Sequence, residues 1–253
     1  MAALVPADLR RDPTRLRHPE VAELLHGMVW SRLGDGAAAW AWFDRVGEVS
    51  LLSWVLAEKG RFLRELGLHE HSEELDLEAL AVAGDMSDII RARISLVADA
   101  VGRGEFEVAA LRLQAVDALL ERVEVTPEIA RQRLRRAWVA VEVALVKGEE
   151  PPTDGLPHLD GGQIWFPPEQ AHGTTFEAAK GLLFAAIAHG DLRLLELASA
   201  DAPAMLSWAV HLARMDSGMP EAWDEAREAW AKIIAPPGFA DEVARTPVAK
   251  RLR

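Results

Sequence analysis

The densest set of side chains able to hold a metal or move a proton is His69-Glu70-His71, followed closely by Glu73, Glu74 and Asp76. Zinc binding needs three or four converging ligands. Histidines two positions apart point the same way on a strand, whereas on a helix they diverge by about 200°. The run follows Gly67, a helix-stop residue, and is read as an acidic turn. No H-E-x-x-H pattern accompanies it, and the chain has no Cys to supply thiolate ligands or a nucleophile. A solvated turn is the preferred reading, and a metal-dependent enzyme using residues 69–76 is kept as an alternative.

The remaining candidates are isolated. His189 and His211 sit singly in or beside apolar helical stripes, where a hydrogen-bonded boundary residue is commoner than a base. Glu142 is a carboxylate inside the apolar stretch Ala137–Val146, but Arg131, Arg135 and Glu142 fall along one helix face, which is read as the wet side. Arg131, Arg133, Arg135 and Arg136 form an interior basic cluster. Positions 131 and 135 share one face and 133 and 136 another, which argues against a phosphate-reading surface and for pairing within the chain. No glycine-rich phosphate loop and no G-x-S-x-G occurs. The expectation is no catalytic site, no bound cofactor and no metal: not an enzyme.

The elements that must position these residues are helices. Apolar residues recur at three- and four-residue spacing, and no sustained alternating run marks a half-buried strand. Pro19 opens the first helix, and Gly34-Asp35-Gly36 breaks it. Val49–Leu66 stops at Gly67, Ser87–Val101 is capped by Ser87 or Asp85, and Phe106–Val123 follows. Thr126-Pro127 starts a helix running to Lys147, and Thr174 or Thr175 caps the next one. The fold class is all-α: successive antiparallel hairpins, as an irregular α-bundle or a TPR-like helical array. The 253 residues are read as one helical domain. Segment 148–173, rich in Pro and Gly, is an irregular loop that separates two subdomains or carries function.

Charge limits the partners. The chain carries −12 overall, while residues 1–18 hold +2 and residues 245–253 hold +4, so the body between them is −18. Such a body repels phosphate backbones and attracts basic partners, so no nucleic acid is expected. No apolar stretch is long enough to span a membrane, and a cytoplasmic protein is expected. The chain has nine Trp and no Tyr; a Trp left exposed would serve as an interface anchor.

Short stretches resemble known helical repeats. Gly104-Glu105-Phe106 with Ala109, Leu113 and Ala118 is similar to half of a tetratricopeptide hairpin, and Ala185-Ala186 through Gly190 to Leu194-Leu195 is similar to an ankyrin turn. Over the last third, Lys180 through Asp191, a short Leu-rich helix, Ala204 to Met215 and Ala222-Trp223 to Trp230 resemble the carboxyl half of all-helical bacterial immunity proteins, the immunity protein 49 family. That resemblance implies a cytoplasmic antitoxin that binds and blocks a cognate toxin. The function expected is therefore a protein-binding module of the immunity type, with a helical-repeat scaffold or adaptor as the alternative. A basic partner would meet acidic faces with aromatic anchors: Glu70, Glu73, Glu74 and Asp76 on the turn, Trp165 and Phe166 on the loop, and Trp223, Asp224 and Glu228 on a late helix.

Overall fold

Thirteen helices account for nearly all regular structure among the described residues, which are 20–167 and 174–252 of a computed structural model. Pro19, the basic stretch 1–18, residues 168–173 of the irregular segment and Arg253 lie outside the described residues. In chain order the helices are α1 (Val21–Arg32), α2 (Gly36–Phe43), α3 (Val49–Glu65), α4 (His69–Ala81), α5 (Met86–Gly102), α6 (Phe106–Leu120) and α7 (Pro127–Lys147). After a small hairpin come α8 (Thr175–His189), α9 (Leu192–Asp201), α10 (Ala204–Asp216), α11 (Ala222–Ala231), α12 (Ala240–Val243) and α13 (Pro247–Arg251). None of these helices is long and apolar enough to cross a membrane.

The helix starts follow local chemistry. Asp85 is the cap of α5, its carboxylate accepting from the Asp88 N–H. Thr126 caps α7 with Pro127 in its first turn. Thr174 caps α8 in a reciprocal box with Glu177, which satisfies donors that a helix start leaves unpaired.

Two sequence readings need correction. The acidic run after Gly67 is a helix, α4, and not a turn. Gly67 takes a positive φ of 82°; its N–H donates to Arg64 O and the Leu68 N–H donates to Leu63 O, both at 2.9 Å. This closing motif ends α3 and lets the chain re-enter a helix within two residues. The second correction concerns segment 148–173. It holds an antiparallel hairpin, β1 (His158–Asp160) with β2 (Gln163–Trp165). Gly161 and Gly162 form its two-residue turn at positive φ, a geometry that glycine adopts without a Cβ clash.

Sequential helices pack as neighbours, and the wider contacts form a closed circuit. Helix α1 touches α3, α3 touches α5, α5 touches α7, α7 touches α8, α8 touches α10, and α10 returns to α1. Helices α2, α4, α6, α9 and α11 pack against members of this inner ring. The inner helices are correspondingly apolar on more than one side: α7 buries Leu134, Ala137, Trp138, Val139, Ala140 and Val141 in near succession. A strap ties the chain's late segment to its early one. The Gly36 N–H donates to Ile234 O and the Ile234 N–H to Gly34 O, both at 2.8 Å. A Cβ on Gly36 would lie 2.7 Å from that Ile234 oxygen, so the strap needs glycine there.

Candidate functional site

At the centre of the ring is a cavity of about 80 Å³, room for a few waters or one small oxyanion. Each surrounding helix contributes residues three or four apart, which share a face. Helix α3 supplies Trp54, Glu58, Arg61 and Arg64; α5 supplies Arg91, Ser95 and Ala98; α7 supplies Arg131, Gln132, Arg135, Trp138 and Glu142; α8 supplies Phe176, Glu177, Lys180 and Phe184. Arg32 enters from α1. The face of α7 bearing Arg131, Arg135 and Glu142, read from the sequence as wet, therefore turns inward.

Most of these charges are paired. Glu58 accepts from Arg32 Nη1 at 2.6 Å and from Arg61 Nε at 3.1 Å. Burial alone would raise its pKa, but the two guanidinium groups hold it well below the usual carboxylate range. Arg131 Nε lies 2.5 Å from Glu177 Oε1, Lys180 Nζ 2.8 Å from Glu65 Oε1, and Arg91 Nη2 3.0 Å from Asp88 Oδ1. Arg64 donates to Asp99 Oδ1 at 2.8 Å and also contacts Asp76. Of these two carboxyls, Asp99 stays ionised beside Arg64. Burial, together with the charge of Asp99, pushes Asp76 up to about 8.

Aromatic rings fill the space between the charges. Arg32 and Arg61 lie over Phe176 at 4.6 and 5.0 Å from its centroid, and Arg91 over Trp54 at 3.8 Å. Such stacking holds guanidinium planes in place while leaving edge donors available. Four buried donors of the wall, Arg32 Nε, Arg61 Nη1, Trp54 Nε1 and Trp138 Nε1, have no hydrogen-bond partner among the described residues.

Two side chains break the pattern of pairing. Arg135 reaches only neutral groups, Gln132 Oε1 at 3.4 Å and Ser95 Oγ at 3.3 Å. Burial and the charges of Arg91, Arg131 and Arg64 lower its pKa to about 9. Glu142 has neither a hydrogen bond nor an ion pair among the described residues. Burial raises its pKa against the attraction of Lys180. Among the described residues seven cations line the wall. Five carboxylates, Glu58, Glu65, Asp88, Asp99 and Glu177, pair with six of them. A desolvated guanidinium without a carboxylate, as at Arg135, is costly unless an anion balances it.

The residues expected to bind a partner are dispersed. Asp76 is fully buried beneath Arg64, out of reach of any partner. Glu73 is held by Arg103 and, at 2.8 Å, by Arg112. Glu70 and Glu74 remain exposed on α4, as do Asp224 and Glu228 on α11. Trp165 is 48% exposed at the hairpin. Phe166 and Trp223 are only half-buried, packed against the apolar clusters beside them. His69 and His71 turn to different partners, His69 to Asp99 and His71 to Glu242 Oε2 at 2.7 Å. Among the described residues no three His, Asp or Glu side chains converge as metal ligands. His211 lies 3.0 Å from Glu225.

Sequence reasoning missed the cavity because its cations come one or two at a time from five helices. The visible signal was Arg32, Arg61, Arg64, Arg91 and Arg135 recurring within otherwise apolar helical stretches. Arg136, by contrast, follows the expected pattern and pairs within the chain with Asp117 at 2.6 Å. Comparison with protein-family models, with curated proteins and with solved structures gives no match to this chain.

Proposed function

We propose that this protein binds a small anion at the centre of its helical ring. The observation that carries this reading is Arg135, a wall guanidinium with no carboxylate partner among the described residues. A charged hydrogen bond to an incoming oxyanion would supply the missing partner, and such bonds are about twice as strong as neutral ones. Wall residues already fixed by ion pairs and ring stacking need little reorganisation on binding, which favours affinity. The test is a titration of salt-depleted protein with phosphate, sulfate, acetate and chloride, followed by calorimetry and by the fluorescence of wall residues Trp54 and Trp138. Saturable binding of an oxyanion, weakened at least about tenfold in R135Q, is expected; no binding by any oxyanion would refute the reading.

A second reading concerns the outer surface and is compatible with the first. It is a protein-binding module, most concretely an immunity-type inhibitor of a basic toxin and otherwise an adaptor. Exposed Glu70 and Glu74 on α4, exposed Asp224 and Glu228 on α11, and exposed Trp165 support it. Charge steers encounter while buried aromatics hold a complex. A toxin-like reading frame beside the gene would supply the partner. E70K/E74K should then slow association and flatten its salt dependence, and unchanged kinetics would remove α4 from the interface.

A further inference from the structure

We infer that the ligand is a small amino acid in its zwitterionic form, with its carboxylate on Arg135 and its ammonium on Glu142. The inference rests on the anion-binding reading and adds a second, positive charge to the ligand.

Arg135 and Glu142 are wall side chains of opposite sign, and neither has an ion-pair partner among the described residues. They stand seven positions apart on α7, which is two turns along one face. Their backbones are therefore about 10.5 Å apart along the helix axis. Side chains three or four positions apart are the ones that meet directly, and these two form no ion pair with each other. Between them on the same face, three positions after Arg135 and four before Glu142, is Trp138, whose ring stacks on Phe184 of α8 at 6.2 Å. One face of α7 thus presents to the cavity, in order, a cation, an apolar ring and a carboxyl group. A small amino acid carries the complementary order of carboxylate, carbon and ammonium.

The other charges near Glu142 are already engaged. Lys180 of α8 pairs with Glu65 of α3 at 2.8 Å. Arg64 of α3 is committed to Asp99 and Asp76, and His69 of α4 lies beside Asp99. Glu65 adds negative charge near Glu142. An ammonium brought by the ligand is the cation that Glu142 lacks, and its N–H groups donate to the carboxyl oxygens. This pairing holds for either form of Glu142 in the free protein: a carboxylate accepts directly, and an acid gives its proton to solvent as the ammonium arrives. A simple oxyanion meets Arg135 alone and binds more weakly. The cavity of about 80 Å³ admits a ligand of few heavy atoms. A zwitterion, neutral overall, enters it without changing the total charge of the site.

The experiment titrates the full chain at pH 7 with glycine, β-alanine and 4-aminobutyrate, and separately with acetate and methylammonium, by calorimetry. At least one of the amino acids should bind about tenfold more tightly than acetate, the size of one added hydrogen bond between charged groups. Methylammonium, which has no carboxylate, should bind more weakly than that amino acid by a similar factor. In E142Q the advantage over acetate should shrink to within about threefold while acetate still binds, and R135Q should lose both ligands. Glu142 has no ion-pair partner among the described residues for E142Q to strand, and circular dichroism checks that the helices are intact. Wild-type binding of acetate as tight as that of every amino acid overturns this inference without any variant and leaves the anion-binding reading standing. An advantage that survives in E142Q also overturns it. If neither acetate nor any amino acid binds, this inference falls, and the phosphate and sulfate titrations decide the anion-binding reading separately.

Discussion

Replacing Arg135 by Met should make the protein more stable in the absence of anions. Arg135 is half-buried beside Arg64, Arg91 and Arg131, and its pKa falls to about 9. A cation with a depressed folded-state pKa is penalised wherever it is charged in both states, that is, throughout the range below pH 9. The penalty fades only as pH climbs above about 9. At about 1.4 kcal/mol per pH unit, a fall of this size corresponds to roughly 5 kcal/mol at pH 7. Against this stand the two long bonds to Ser95 and Gln132, worth about 1 kcal/mol each. Met retains most of the aliphatic volume. The net gain is about 3 kcal/mol, or a rise in Tm of roughly 6–12 °C for a chain of this size. The assay is thermal unfolding of wild type and R135M after exhaustive dialysis into zwitterionic buffer, repeated with phosphate. Wild type should gain stability with phosphate by mass action, and R135M should gain little. A variant less stable than wild type without anions, with its phosphate response intact, would refute the argument.

Glu58 lies between two buried guanidinium groups, so E58Q strands both and should cost about 3–5 kcal/mol, read from urea unfolding at pH 7. Because its pKa is depressed in the folded state, its stabilisation is complete above the ordinary carboxylate range and drains away as pH falls below about 4. Asp76 behaves in the opposite sense. Its pKa is raised to about 8, so folding favours its protonated form and wild-type Tm should decline from pH 5 to pH 8. D76N, shaped like the protonated acid, should flatten that decline, and an unchanged slope would assign it elsewhere. T174A removes the capping box of α8 and should cost about 1 kcal/mol without altering anion affinity, measured by paired unfolding and titration.

The helices were legible because their signals are local. Thr126-Pro127, Asp85 and Thr174 act within one turn of chain, and each is seen in its expected role. The α3–α4 junction was not legible as such, since a two-residue reversal at Gly67-Leu68 leaves an acidic helix looking like a turn. Glu142 and Arg135 were noticed for their type and misplaced for their surroundings. One helix in isolation does not tell whether a charged stripe faces water or six other cations, and only the return of α10 to α1 makes that face an interior. Glu73 and Asp76 were misplaced for the same reason: their arginine partners stand 12 to 39 positions away.

The closed ring also bears on how the chain reaches its native state. An open solenoid can nucleate in any repeat and grow by neighbour contacts. Here the contact of α10 with α1 and the strap from Ile234 to Gly34 and Gly36 join residues about two hundred positions apart. The loop entropy of that closure is paid in one step, and it is offset only when the last inner helix arrives. The chain should therefore gain stability abruptly on completion, and a truncation before α10 should lose cooperativity as a whole instead of shortening an array. It would also leave the central arginines and their carboxylate partners facing water, where each pair contributes little.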